Sequence, residues 1–263
     1  MTTRPLLAFA ALITVMVVLG RASRPSPPTP TVEPQAAPVI GTAVAPAPTR
    51  QVGPLQATVE TPLVSTPAIE LQARLATRRR IEREGRRVYF DSMFARTDSV
   101  VVRWDDRPIR TLTVRFMPDS TLADWQAALD DARAGMHAWD NNEAGFSLAE
   151  TTDSTADITV HWVALLGEPE QLGLTGLQWG ADGTIGSATM ALAVRQNPDS
   201  IAVPSGIRRR VAAHEFGHAL GLPHSERDGD LMYRSSPLGL PSSRDRATLQ
   251  LLYSVPPGPI GTP

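Results

Sequence analysis

Three of the chain's five histidines lie within the stretch VAAHEFGHALGLPHS, Val211 to Ser225. On a helix, His214 and His218 are one turn apart and project from the same face. Two imidazoles so placed reach one metal ion at the roughly 2.0–2.1 Å of a zinc–nitrogen bond. Glu215 is displaced around the helix from His214. It is poorly placed as a third ligand but within reach of a water at the metal, where a general base belongs. Gly221 takes the positive φ that stops a helix sharply, and Pro223 discourages its resumption. His224 then returns as a third nitrogen. Three protein ligands leave a coordination position open, as in catalytic zinc sites; structural sites are closed by four. With ordinary Glu and Gly usage and this chain's sparse histidine, five such positions coincide by chance with a probability on the order of 10⁻⁵.

The site needs elements to hold it. PSGIRRRVAAHEFGHALGL reads as a long helix with Ser205 as candidate N-cap, and its Arg208–Arg210 run reads as a solvated face. STLADWQAALDDARAGMHAWDNN is a second long helix. Leu122, Trp125, Leu129, Ala132, Met136 and Trp139 share one face, Ser120 is the N-cap, and Asn141–Asn142 end it. PSSRDRATLQLLY is a C-terminal helix whose Ser242 and Asp245 have capping-box spacing. DSVVVRW, IRTLTVRF, ADITVHWV and SATMALAV read as strands, with DDRP as a turn and a Gly-rich stretch before Gly186. His161 is out of phase with Ile158, Val160 and Trp162, so it faces the other side of its strand. His137 falls on the outer helix face. The order predicts an α+β fold: a mixed twisted sheet with an active-site helix, a second long helix and a C-terminal helix.

HEFGHALGLPH resembles the extended zinc motif of the metzincin metallopeptidases, H-E-x-x-H-x-x-G-x-x-H. GDLMYR is similar to the family's methionine turn, with Met232 as the soft apolar residue beneath the metal. Ser225 directly after the third histidine, and RDRATLQLLY with Asp245 tying the closing helix to that turn, resemble the matrixin branch. The resemblance spans about residues 100–254 and implies a zincin-like fold and one catalytic zinc held by His214, His218 and His224. It also implies Glu215 as base and a peptide or protein substrate. By analogy, SATMALAV forms the upper edge of the cleft, with Ala188 and Thr189 binding substrate. Tyr233 to Pro237 wall the pocket beyond the scissile bond. Met190 stands where the family carries a histidine for a second zinc, so none is predicted. At Asp182–Gly183 an ordinary turn is preferred to a calcium site.

The remaining sequence sets the context. The chain has 263 residues, net charge −2 and no cysteine, and all 25 basic residues are arginine. This removes disulfides, thiolate metal sites and latency through a metal-capping thiolate, and composition makes no case for nucleic acid. Residues 1–22 read as a signal peptide or N-terminal anchor, the only membrane attachment foreseen. Residues 23–67 are a Pro-rich disordered linker, 68–90 an Arg-rich helical stalk or prosegment, 91–255 the catalytic domain and 256–263 a disordered tail. The expected protein is an exported, monomeric zinc endopeptidase, secreted, periplasmic or surface-anchored. The competing readings are an inactive metzincin-like module that binds peptides or surfaces, and a different HExxH zinc hydrolase acting on small amides.

Overall fold

Burial alternates strictly along Ile158–Val163 (ITVHWV), with Ile158, Val160 and Trp162 inside and His161 half-buried on the other face. This strand is the middle of a five-stranded sheet. The computed structural model describes residues 67–105, 111–122, 124–140, 144–168, 171–196 and 202–261. The expectations for residues 1–66 and for Asn141–Asn142 lie outside them, as does most of the DDRP turn.

In chain order, the strands are β1 (Val100–Val101), β2 (Thr111–Met117), β3 (Ser147–Glu150), β4 (Ile158–Val163), β5 (Gly173–Trp179), β6 (Ile185–Ala193) and β7 (Gly258–Pro259). The helices are α1 (Pro67–Glu84), α2 (Asp91–Thr97), α3 (Trp125–His137), α4 (Ser205–Ala219) and α5 (Ser243–Ser254). The main sheet runs β3-β2-β4-β6-β5, parallel except for β5, which is antiparallel to β6. The architecture is the mixed α+β one expected.

The details differ in instructive ways. DSVVVRW contributes only Val100–Val101 as a strand, because Asp98 and Ser99 take positive φ where α2 ends. The second long helix starts at Trp125, not after Ser120. Asp119 Oδ1 accepts from Thr121 N (3.0 Å) and Thr121 Oγ1 (2.6 Å), and this local Asx-type turn competes with helix. The residues assigned to a disordered tail include β7, which pairs antiparallel with β1, and Ile260 is buried. Val88, Tyr89 and Phe90, placed in a stalk, belong to the core. α1 is largely exposed, but Ile81 is buried and Arg80 Nη1 donates to Ser254 O at 2.7 Å.

α3 crosses α4 at unusually short range. A Cβ on Gly135 would lie 2.6 Å from Ala213 N, so glycine is required there. Trp139 Nε1 donates to Ala213 O at 2.8 Å, fixing the crossing further. The arginine run is a solvated face only in part: Arg209 is exposed, whereas the Arg208 side chain is largely covered. Asp131, on α3, is 1% exposed and accepts from Arg208 Nε and Arg209 Nε, both at 2.7 Å, and from Ser205 Oγ at 2.7 Å. Ser205 therefore serves Asp131 rather than capping α4, whose N-cap position is Pro204. Burial opposes ionisation of Asp131, but the bonds from Ser205, Arg209 and Arg208 prevail and hold its carboxyl below the usual range.

Replacing Asp131 by Asn removes the charge that neutralises Arg208 while keeping the shape. We expect a loss of about 2–3 kcal/mol in urea denaturation. A loss below about 0.5 kcal/mol would show that the clamp does not hold α3 to α4.

Candidate metal centre

The second half of α4, from Val211 to Ala219, is buried throughout. Such a helix end must satisfy its last carbonyls. Gly221 adopts φ +94°, as its position in the motif predicts. Its N–H donates to His218 O (2.9 Å), and Leu222 N–H donates to Gly217 O (3.0 Å). These are the two bonds of a Schellman stop. The two final carbonyls are taken by side chains from elsewhere: Trp104 Nε1 donates to Ala219 O at 2.9 Å and Tyr253 OH to Leu220 O at 3.0 Å. A Cβ at Gly221 would also lie 2.9 Å from Val102 O. The chain then turns, and His224 comes back to the helix.

The three rings meet with centroids 4.7–5.3 Å apart, and one nitrogen from each lies within 4.8 Å of the others. Their chemistry fits a cation. His214 Nδ1 is 2.8 Å from Leu231 O, and His218 Nδ1 is 2.8 Å from Leu222 O. A carbonyl only accepts, so both Nδ1 atoms carry the hydrogen and both Nε2 atoms present lone pairs. Those two lone pairs face each other at 3.0 Å. A proton between them is disfavoured, because burial pulls the His214 pKa down to about 4. Burial and the neighbouring rings pull His218 well below its ordinary value. His224 is lowered to about 3, first by burial, and its Nε2 is buried without a partner. Facing nitrogen lone pairs that resist protonation are a ligand set for zinc, and the backbone carbonyls behind them fix the rings as ligands require.

Glu215 is fully buried beside this cluster. Its Oε2 accepts from Thr175 Oγ1 at 2.6 Å, whereas its Oε1 has no partner. Burial raises the Glu215 pKa to about 8, and the Thr175 bond opposes that rise. Thr175 lies on β5, two residues after Gly173, and any Cβ on Gly173 would run into Glu215 Oε1. The glycine lets the strand lie against the carboxylate, and the threonine holds one of its oxygens.

Met232 is fully buried, with Sδ against α4 at Gly217, where only a glycine leaves room. Its carbonyl accepts from Ser225 N at 2.9 Å. Asp245 ties the turn to α5 as expected. Its Oδ2 accepts from Leu231 N (2.7 Å) and from Ser242 N (2.8 Å), the latter half of a complete capping box. The sequence did not reveal that Tyr89 OH also donates to Asp245 Oδ1 at 2.6 Å, or that Ser92 Oγ donates to His224 O at 2.7 Å. Both come from the N-terminal segment, which has no motif to mark it. Asp230, buried beside them, accepts from Ser242 Oγ and Arg244 Nη1, each at 2.7 Å, and from Ser225 Oγ.

The expectation for the substrate edge needs correction. β6 lies between β4 and β5, so Ala188 and Thr189 have strands on both sides. Ala188 N already donates to Asp157 O at 2.9 Å. The edge strand next to the site is β5, which reads in sequence as part of a Gly-rich stretch. Tyr233 is half-buried and bridges to Ser225, next to the third histidine, while Pro237 is exposed and its carbonyl accepts from Arg210 Nη1 at 3.1 Å. Met190 is buried in the core. Asp182 Oδ1 accepts from Thr184 N at 3.0 Å within the β5–β6 turn, where Gly183 takes φ +78°: a hairpin turn stabilised by its own aspartate. His137 is exposed and pairs with Asp140 at 2.8 Å.

Residues 204–254, from the start of α4 to the end of α5, match the matrixin family model. A search of curated proteins finds no match to the chain. The match covers a minority of the chain, but it contains the three histidines, Glu215, Met232 and Asp245, and it supports a zinc metallopeptidase. With its α+β fold and its histidine cluster, the chain is similar to the matrixin branch of the metzincins across that segment.

Proposed function

We propose that the chain is an exported zinc-dependent endopeptidase in which Glu215 is the general base. The observation that carries this reading is the buried, unpartnered Oε1 of Glu215, on the residue next to His214 of the three-histidine cluster, while the Thr175 hydroxyl holds Oε2. His214, His218 and His224 would hold the zinc. A zinc ion so bound acidifies water and polarises a carbonyl oxygen.

Glu215 accepts the proton of the attacking water at Oε1 and delivers it to the departing amine nitrogen. Thr175 keeps the carboxylate from swinging away during both transfers. The raised pKa of Glu215 belongs to the ion-free site, and a dication nearby favours the charged carboxylate. Among the described residues, β5 pairs only with β6, so its outer edge can take an extended peptide as an added strand. A peptide lying along β5 extends past Glu215 in both directions, which suits cleavage of internal bonds. The segment from Tyr233 to Pro237 walls the far side of that path. Export rests on the apolar run from Leu6 to Leu19. Among the described residues no helix is long and apolar enough to cross a membrane. A secreted protein whose mature N-terminus lies beyond residue 22 is the expected outcome of N-terminal sequencing. A membrane-bound form retaining Met1 would favour an anchor.

Glu215→Gln should retain about one zinc per chain while losing roughly 10²–10⁴ of peptide-cleavage rate. Cleavage that survives the substitution removes Glu215 as base, and zinc binding without cleavage in either protein would favour a binding module. Thr175→Val should lower kcat about tenfold with KM little changed, a loss of roughly 1.4 kcal/mol of transition-state stabilisation. Thr175→Ser should restore most of it. An equal rise in KM instead would place Thr175 in substrate binding.

The ion-free chain should lose stability as pH falls from 6.5 to 5. Unfolded imidazoles take up protons near 6.5, whereas folded His214 and His224 do so only near 4 and 3. Glu215, raised to about 8, works in the opposite direction but is outnumbered. A urea midpoint that stays level or rises between pH 6.5 and 5 contradicts this.

A further inference from the structure

The N-terminal segment adds a second feature beside the metal centre. Met93 of α2, Leu177 and Trp179 of β5, and Leu222 give apolar walls to an open hollow. His218 lines it on one side and Arg96, in the last turn of α2, on another. Leu177 and Trp179 are two residues apart on the edge strand, so their side chains share one face and the hollow borders the path of a peptide added along β5.

Arg96 is exposed and makes no ion pair or hydrogen bond among the described residues. Its charge is disfavoured, first by partial burial and then by the like charge of Arg234. Arg234, two residues after Met232, is also exposed and unpaired among the described residues. The fields of both guanidiniums reach His224. A cation without a counter-charge at the rim of an apolar hollow, with the like charge of Arg234 acting on it, fits an aliphatic stem ending in a carboxylate. An arginine fork binds such a group with two parallel hydrogen bonds.

We infer that Arg96, with Arg234 beside it, selects peptide substrates that carry an Asp or Glu side chain over the hollow walled by Leu177 and Trp179. This inference rests on the peptidase reading, so its test measures binding separately from cleavage. Full-length Glu215→Gln, loaded with zinc, is titrated with fluorescent peptides in which one Glu is walked along an otherwise neutral sequence. Each is compared with its Gln counterpart, with free and with amidated C-termini.

The Glu peptide should bind about fivefold tighter than the Gln peptide at one position, with either C-terminus. Arg96→Gln should abolish that difference, and Arg96→Glu should reverse it in favour of a Lys peptide. In the wild-type enzyme the same preference should appear in kcat/KM. Equal binding of Glu and Gln peptides overturns the inference, as does a preference that Arg96→Gln leaves intact or no measurable binding of either. A preference seen only with free C-termini assigns the arginines to a terminal carboxylate and overturns it likewise. A charge preference without any cleavage by the wild type leaves this inference standing and removes the peptidase reading.

Discussion

A helix that carries metal ligands must bring polar groups into the protein interior, and every one of them needs a partner. This constraint organises the structure around Ser205–Ala219. The last carbonyls of the helix are taken by Gly221, Leu222, Trp104 and Tyr253. The outer nitrogens of His214 and His218 are taken by the carbonyls of Leu231 and Leu222, and one oxygen of Glu215 by Thr175. Among the described residues, the buried side-chain atoms left over are Glu215 Oε1, His224 Nε2 and Arg244 Nε. Two of the three belong to the site. Apart from Arg244 Nε, the other buried side-chain polar atoms of the described residues are paired, and that sets these two atoms apart.

The same constraint explains the glycines. Gly135 admits the backbone of α4 to α3, Gly217 admits Met232 and Trp139 to α4, and Gly173 admits β5 to Glu215. Each is a close approach between elements rather than a break in one. Around them, Asp131 and Asp245 work as buried anchors. Asp131 gathers Arg208, Arg209 and Ser205 at the start of α4. Asp245 gathers the methionine turn, its own helix cap and Tyr89. Two carboxylates thus fix where the helix begins and where the loop below it lies.

These close approaches also account for the expectations that failed. Glycine in a sequence signals a turn, so Gly173–Trp179 reads as loop, yet the missing side chain is what lets the strand reach Glu215. With that strand hidden, SATMALAV looked like the edge and Ala188 and Thr189 like substrate contacts. A run of arginines reads as a solvated face because its counter-charge, Asp131, lies far away in sequence. The tail reads as frayed because its partner strand is Val100–Val101, at the opposite end of the domain.

The sequence alone determined the histidine cluster, the glutamate next to it, the helix stop, the turn at Met232 and the cap at Ser242. All of these depend on residues within a few turns of one another, where spacing along the chain fixes spacing in space. Tertiary structure decided which strand borders the site, which hydroxyl holds Glu215, what neutralises Arg208 and Arg209, and how the segment from Tyr89 to Arg96 reaches the third histidine. Those pairings join positions tens of residues apart. Their strength comes from burial and close packing, which no local pattern records.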